Sequence, residues 1–306
     1  MPTAAGPAAT AIRSTDALDQ NRGMLLGLLG VAMFSLTMPF TRMAVAQLDP
    51  VFVALGRALG AALLAAGWLL WRRAPLPPRA ALLPLALVAG GCIVGFPLLT
   101  SIALRSLPAS HGALLVGVLP LVTALYAALR GHERPSRGFW GMALLGSSLV
   151  VGFALAEGGG SLHPADLLVF GAVAAAAVGY AEGGRLARSL GGPETICWAL
   201  VLAAPVLLPV LLWHGIPALG GVGMASWLGF AYVTTISMFI GFFFWYRGLA
   251  LGGVARVGQV QLLQPFMSLV GAALLLGEAL TLANCAFALA VAAVVFAGRR
   301  MAVRQQ

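Results

Sequence analysis

Charged residues make up only 9% of this chain, so every polar side chain inside an apolar run is a candidate for chemistry. Three glutamines, Gln259, Gln261 and Gln264, stand just before Pro265, and Glu278 follows thirteen residues later. Gln261, Gln264 and Ser268 are three and four apart and share one face of a helix, while Gln259 points elsewhere. An amide turned to lipid would leave its donors and acceptors unpaired, so this face must meet protein or a wet cavity. Two uses fit. One is a polar stripe holding the amino or carboxylate group of a small substrate. The other is hydrogen bonding between helices, worth about 1 kcal/mol per contact.

The same register recurs 145 positions earlier: Pro120 precedes Glu133 by thirteen residues, and Leu104 precedes Pro120 as Leu249 precedes Pro265, by sixteen. A proline inside a helix removes a backbone hydrogen bond, so matched kinks suit either a gate or a static bend around a cavity. Pro39, and Pro97 followed by Thr100 and Ser101, offer the same in two further runs. Glu133 and Glu278 each follow a helix end. A carboxylate there caps the next helix start and offsets its unpaired amides; proton or substrate binding is the alternative.

Arg57 lies about two turns inside an apolar run. An arginine at mid-membrane costs roughly 2.5–3.5 kcal/mol on insertion scales, so it needs a partner. A charge cluster of Arg42, Asp49 and Arg57 is the structural expectation, and capture of a substrate carboxylate is the functional one. Glu182, with Arg185 three residues on, reads as a local pair. Phe239, Phe242 and Tyr246 recur at helical spacing, and Trp245 and Tyr180 also lie in apolar runs. They fit packing, interfacial anchoring or the walls of a cavity for an aromatic side chain. His111, at the mouth of an apolar run, is a candidate for a pH response.

Enzyme chemistry has little to work with. Cys92, Cys197 and Cys285 are far apart in apolar runs, so they read as small core hydrophobes rather than a disulfide or metal set. The four histidines are dispersed, and no histidine shares the depth of the Ser147–Ser148 pair. No phosphate-binding G-x-x-x-x-G-K-[ST] motif occurs, and Gly158-Gly159-Gly160-Ser161 lacks its lysine. The expectation is a protein that is not an enzyme, with no cofactor and no metal.

The elements that must position these groups are helices in lipid. Hydrophobic residues reach 60% and mean hydropathy is +0.97, too apolar for a water-facing surface. The chain reads as an all-α polytopic membrane protein. At roughly 20 residues per crossing ten spans fit: Met24–Gln47, Val51–Trp71, Ala81–Leu104, Gly112–Leu129, Phe139–Ala156, Ala165–Leu186, Thr195–Trp213, Met224–Leu249, Val254–Leu276 and Thr281–Ala297. The boundary between the eighth and ninth is the least marked. Residues 1–22 read as a disordered cytoplasmic tail, 23–156 and 165–298 as two five-span repeats, and 299–306 as a basic tail.

All 18 basic residues are arginine. With the N-terminus inside, fifteen of them fall in cytoplasmic segments, the bias that sets orientation. The net charge of +9 is then a topology signal and requires no nucleic acid. Five spans per repeat put the second copy in the bilayer in the opposite sense, and inverted repeats of this kind enclose a central cavity that opens alternately to each side. The expected partners are membrane lipid and a small-molecule substrate, and the expected state is a monomer or weak homodimer.

The chain resembles the drug/metabolite transporter superfamily in its ten-span form with two EamA-type units. The resemblance rests on FSLTMPFTRMAVAQLDPVFVALGRALGAALLAAG with Pro39, Arg42, Pro50 and Arg57; on Ala103-Leu104 with Pro120 and Glu133; on YRGLALGGVA; and on Pro265 with Glu278. It covers Met24 to Gly298. The family often carries Trp-Gly where Phe34-Ser35 stands here, and lysine where Arg42 stands. The resemblance implies a secondary transporter of the bacterial inner membrane, both termini cytoplasmic, exporting amino acids (aromatic or other neutral ones among them). Export of drugs or other small organic metabolites is the alternative.

Overall fold

The computed structural model describes residues 7–130, 133–157, 163–217, 220–252, 257–300 and 303–305. These are almost wholly helical. The first apolar run is split into α1 (Pro7–Ser35) and α2 (Thr37–Val45), broken at Leu36. α1 begins inside the segment read from sequence as a disordered tail: Pro7 starts it, and the alanine-rich stretch that follows favours helix. α3 (Pro50–Arg72) has a clear local origin. The Asp49 carboxylate accepts from the Val51 and Phe52 amides at 2.9 Å, Pro50 occupies the first turn, and Arg73 ends the helix with φ 50°.

α4 (Arg79–Val88) runs into a π-helical turn at Ala89–Gly95 and then α5 (Phe96–Ala103). α6 (Ala109–Val116) and α7 (Leu119–Arg130) are separated by Gly117-Val118, and α8 (Arg137–Glu157) closes the first half. α9 (Pro164–Leu190) starts on a His163–Asp166 capping box and stops at Gly191, whose φ is 97°. α10 (Gly192–His214) follows. α11 (Met224–Tyr232) passes through a second π-helical turn, Val233–Ile240, into α12 (Gly241–Gly252). A 3₁₀ turn at Gly258–Leu263 leads to α13 (Gln264–Leu276), and α14 (Leu282–Arg300) is the last helix. A short strand β1 (Glu133–Pro135) pairs antiparallel with β2 (Val303–Gln305), setting Glu133 opposite Gln305.

Among the described residues seven helical stretches are long and apolar enough to cross a membrane, from Asn21–Val45 to Met224–Gly252. Shorter apolar helices at Trp140–Phe153, Gln264–Leu276 and Leu282–Val294 lie where the fifth, ninth and tenth spans were expected. Within the expected ninth span, Gly258–Leu263 is a 3₁₀ turn rather than α-helix. Large side chains such as Leu63, Leu70, Leu274 and Leu282 are exposed, which suits a lipid-facing surface.

The helices pack in long pairs: α1 along α12, α3 along α10, α8 along α14, and α9 against both α5 and α7. The first π-helical turn is pressed onto α9, where a Cβ on Gly91 would lie 2.3 Å from the Ala175 carbonyl oxygen and 2.8 Å from the Gly179 nitrogen. Only glycine admits that approach.

Candidate functional site

The breaks in the helices converge on the middle of the bundle. Pro39, Pro97, Pro120 and Pro265 were expected inside helices, as kinks. Each instead lies in the first turn of a segment that follows a break, α2, α5, α7 and α13 respectively. Proline is tolerated there because early-turn amides have no intrahelical partner. The prolines therefore fix where helices restart.

Inside these breaks is a cavity with about 450 Å³ of non-atom space, part of it open to solvent. Its aromatic wall is Phe34, Phe96, Tyr180 and Phe242. Phe34 meets Phe242 edge-on at 5.0 Å and stacks near Tyr180 at 6.3 Å. The polar groups are Thr37, Arg57, Ser237 and Gln264, with Cys92 beside them. The two π-helical turns deliver matching positions: Cys92 and Ser237 are 145 residues apart and both line the cavity. A π-helical turn widens the helix locally and is frequent at functional sites. Thr37 and Ser237 share a 2.8 Å hydroxyl–hydroxyl hydrogen bond across it.

Arg57 is the most unusual member. It is 2% exposed, and neither Nε nor Nη1 has a hydrogen-bond partner among the described residues. The expected cluster of Arg42, Asp49 and Arg57 is not formed. The Arg42 guanidinium donates to the Leu104 and Arg105 carbonyls. Asp49 is committed to capping α3 and to His214, 2.9 Å away. Two helical turns, about 12 Å of rise, separate that cap from Arg57. Burial pushes the Asp49 carboxyl up, but the Phe52 amide and His214 outweigh it and hold the group below the usual carboxylate value.

The other expected site residues divide. Tyr180, Phe242 and Gln264 line the cavity, and Gln261 and Gln264 both line a second, smaller space of about 190 Å³ with Pro120 and Pro265. Gln261 is buried, and its Nε2 has no partner among the described residues. Gln259 is in the 3₁₀ turn, but its side chain lies outside the described residues. Ser268 does not join the stripe: its hydroxyl donates to the Ser35 carbonyl at 2.7 Å, a helix–helix bond.

Thr100 is turned back onto its own helix, donating to the Phe96 and Pro97 carbonyls. His111 is buried rather than at a mouth, 2.8 Å from Asp166 of α9. Tyr246 donates to the Gly179 carbonyl at 3.1 Å, and Phe239 packs on Phe243. Glu182 binds Arg185 at 2.8 Å as expected, and also receives Tyr126 and Arg130 of α7.

Glu278 was expected to cap the helix after it. It caps α6 instead, accepting from the Ala109 and Ser110 amides at 2.8 Å each, 169 and 168 residues away in sequence. The Glu133 side chain lies outside the described residues. Phe34, Thr37, Cys92 and Ser237 were not singled out from sequence as cavity residues, since small, hydroxyl or apolar side chains carry no distinct signal in an apolar run.

A family model described as the EamA-like transporter family matches residues 21–154 and 163–298. A protein of Bacillus subtilis (strain 168) named "Uncharacterized transporter YdeK" is 45% identical over 280 residues, covering 92% of this chain and 98% of that protein. A solved structure described as "Crystal structure of protein" is similar over 90% of this chain and 98% of that one, with a TM-score of 0.64 at 20% identity. That likeness concerns the fold.

Proposed function

The chain belongs to the EamA-like transporter family, and from that premise we propose that it exports small metabolites, amino acids among them, by alternating access to the central cavity. The observation that carries this reading is the cavity itself. It holds a buried cation and three neutral polar groups, and it draws its lining from both halves of the chain: Thr37, Arg57 and Cys92 from one, Tyr180, Ser237 and Gln264 from the other. A site between two halves is where rocking of one against the other would expose it to each face in turn.

The 145-residue register supports two inverted five-span units, residues 23–156 and 165–298. It relates Pro120 to Pro265 and the π-helical turn of the third span to that of the eighth. On this reading the three shorter apolar helices complete ten spans, both termini are cytoplasmic, and the membrane is the bacterial inner membrane. Energy comes from solute or ion gradients or from exchange.

The test is flux in sealed proteoliposomes loaded with a panel of labelled amino acids and related metabolites. Flux of at least one class is expected. Gln264→Leu removes the cavity amide and should lower that flux at least several-fold with unchanged insertion and thermal stability. No flux of any class from folded protein would reject the reading, and unaltered flux in Gln264→Leu would remove Gln264 from the path.

A further inference from the structure

We infer that the central cavity selects an organic monoanion, a carboxylate on an apolar or aromatic body, with Arg57 as its counter-ion. The inference rests on the transport reading for the site and adds the charge of what the site takes. A guanidinium cannot shed its charge in a protein, and a buried charge without a partner is strongly unfavourable. The described carboxylates offer Arg57 nothing: Asp49, Asp166, Glu182 and Glu278 are held in bonds of their own, Glu194 lies in the first turn of α10 away from the cavity lining, and among the described residues no acidic side chain lines the cavity. The acceptor missing among the described residues is, on this inference, supplied by the ligand. Charge-assisted bonds from guanidinium to carboxylate are among the strongest available in such surroundings.

The rest of the lining defines the remainder of the ligand. Phe34, Phe96, Tyr180 and Phe242 face the same space as Arg57, giving an apolar or aromatic body a surface on which to stack. Thr37, Ser237 and Gln264 are neutral. An ammonium group would therefore enter without a counter-charge and within the field of a buried guanidinium. A zwitterion gains the Arg57 contact but must bury its amine against neutral groups alone, and a cation gains nothing. The expected order is monoanion, then zwitterion, then cation.

Three ligands with one aryl-ethyl frame separate these cases: 3-phenylpropanoate, phenylalanine and phenethylamine. Binding is measured on the purified full chain in nanodiscs, and flux in proteoliposomes. We expect 3-phenylpropanoate to bind at least tenfold more tightly than phenylalanine, and phenethylamine to bind least. In Arg57→Gln the monoanion should lose at least tenfold in affinity and its preference over phenylalanine should vanish, while Arg57→Lys retains part of both. Because Arg57→Gln removes an unpaired buried charge, its unliganded thermal midpoint should stay or rise; a residue needed only for structure would lower it.

Phenylalanine or phenethylamine bound as tightly as the monoanion, a preference that survives in Arg57→Gln, or no binding of 3-phenylpropanoate would each overturn the inference. Flux of phenylalanine or phenethylamine at or above that of the monoanion would overturn it while leaving transport intact. Binding in the expected order with no flux would leave it standing and reject the transport reading instead.

Discussion

Gly248→Val is expected to deprive the protein of its fold. α1 and α12 run side by side, and Gly248 sits at one of their close approaches. A Cβ there would lie 2.8 Å from the Gly27 nitrogen, 2.9 Å from the Gly23 carbonyl oxygen and 3.1 Å from the Gly27 Cα. All three are backbone atoms, so no side-chain rotation relieves the overlap. Overpacking of this kind costs about 3 kcal/mol at the upper end of the usual range, and small residues are what permit close helix approach in lipid. Loss of most monodisperse protein, or a large fall in thermal midpoint, is the expected result by size-exclusion chromatography and thermal unfolding. Gly67→Val is the control. Nothing lies within 4 Å of a Cβ at Gly67, so that variant should behave as the parent protein.

Glu278→Ala is expected to give the second largest effect, and it should be felt in α6. The carboxylate satisfies two of the amides that an isolated helix start leaves unpaired, those of Ala109 and Ser110. It also ties the segment after α13 to a helix of the first half. Charge-assisted bonds contribute about 1.5–3 kcal/mol each when well buried. Glu278 is only partly buried, so a combined loss of about 2 kcal/mol is expected, read as a lower thermal midpoint. Glu278→Gln keeps an acceptor without the charge and should fall between the parent and Glu278→Ala. If Glu278 capped only the helix that follows it, hydrogen exchange at Ala109 and Ser110 would not change in either variant; the bonds described here require it to rise.

Sequence alone revealed the membrane class, the helical content and the register of prolines and glutamates, because each rests on composition or on short spacings. It also marked Gln264 as an amide that should not face lipid, and Tyr180 and Phe242 as aromatics that fit packing, interfacial anchoring or a cavity wall. What it could not show was which partner each group reaches. Arg57 was joined to Asp49 on proximity in the chain, but a helix places eight residues along its axis, and Asp49 is occupied at the helix start. Glu278 was matched to the nearest following helix, whereas its acceptors meet amides brought near only by tertiary packing.

The π-helical turns were invisible for the same reason. Their wider backbone follows no local residue signature, and the first is held by contact between Gly91 and α9. Cys92 and Ser237 inherit their positions from those turns, so neither stood out as a cavity residue.

A single cysteine at position 237 puts alternating access to the test. Ser237→Cys is made with Cys92, Cys197 and Cys285 replaced by alanine, reconstituted in one orientation, and treated with a membrane-impermeant thiol reagent on one face or the other. The expected result is slow labelling from either face alone, suppressed on both by a bound substrate. Labelling confined to one face, however long the exposure, would contradict a cavity that opens to each side in turn.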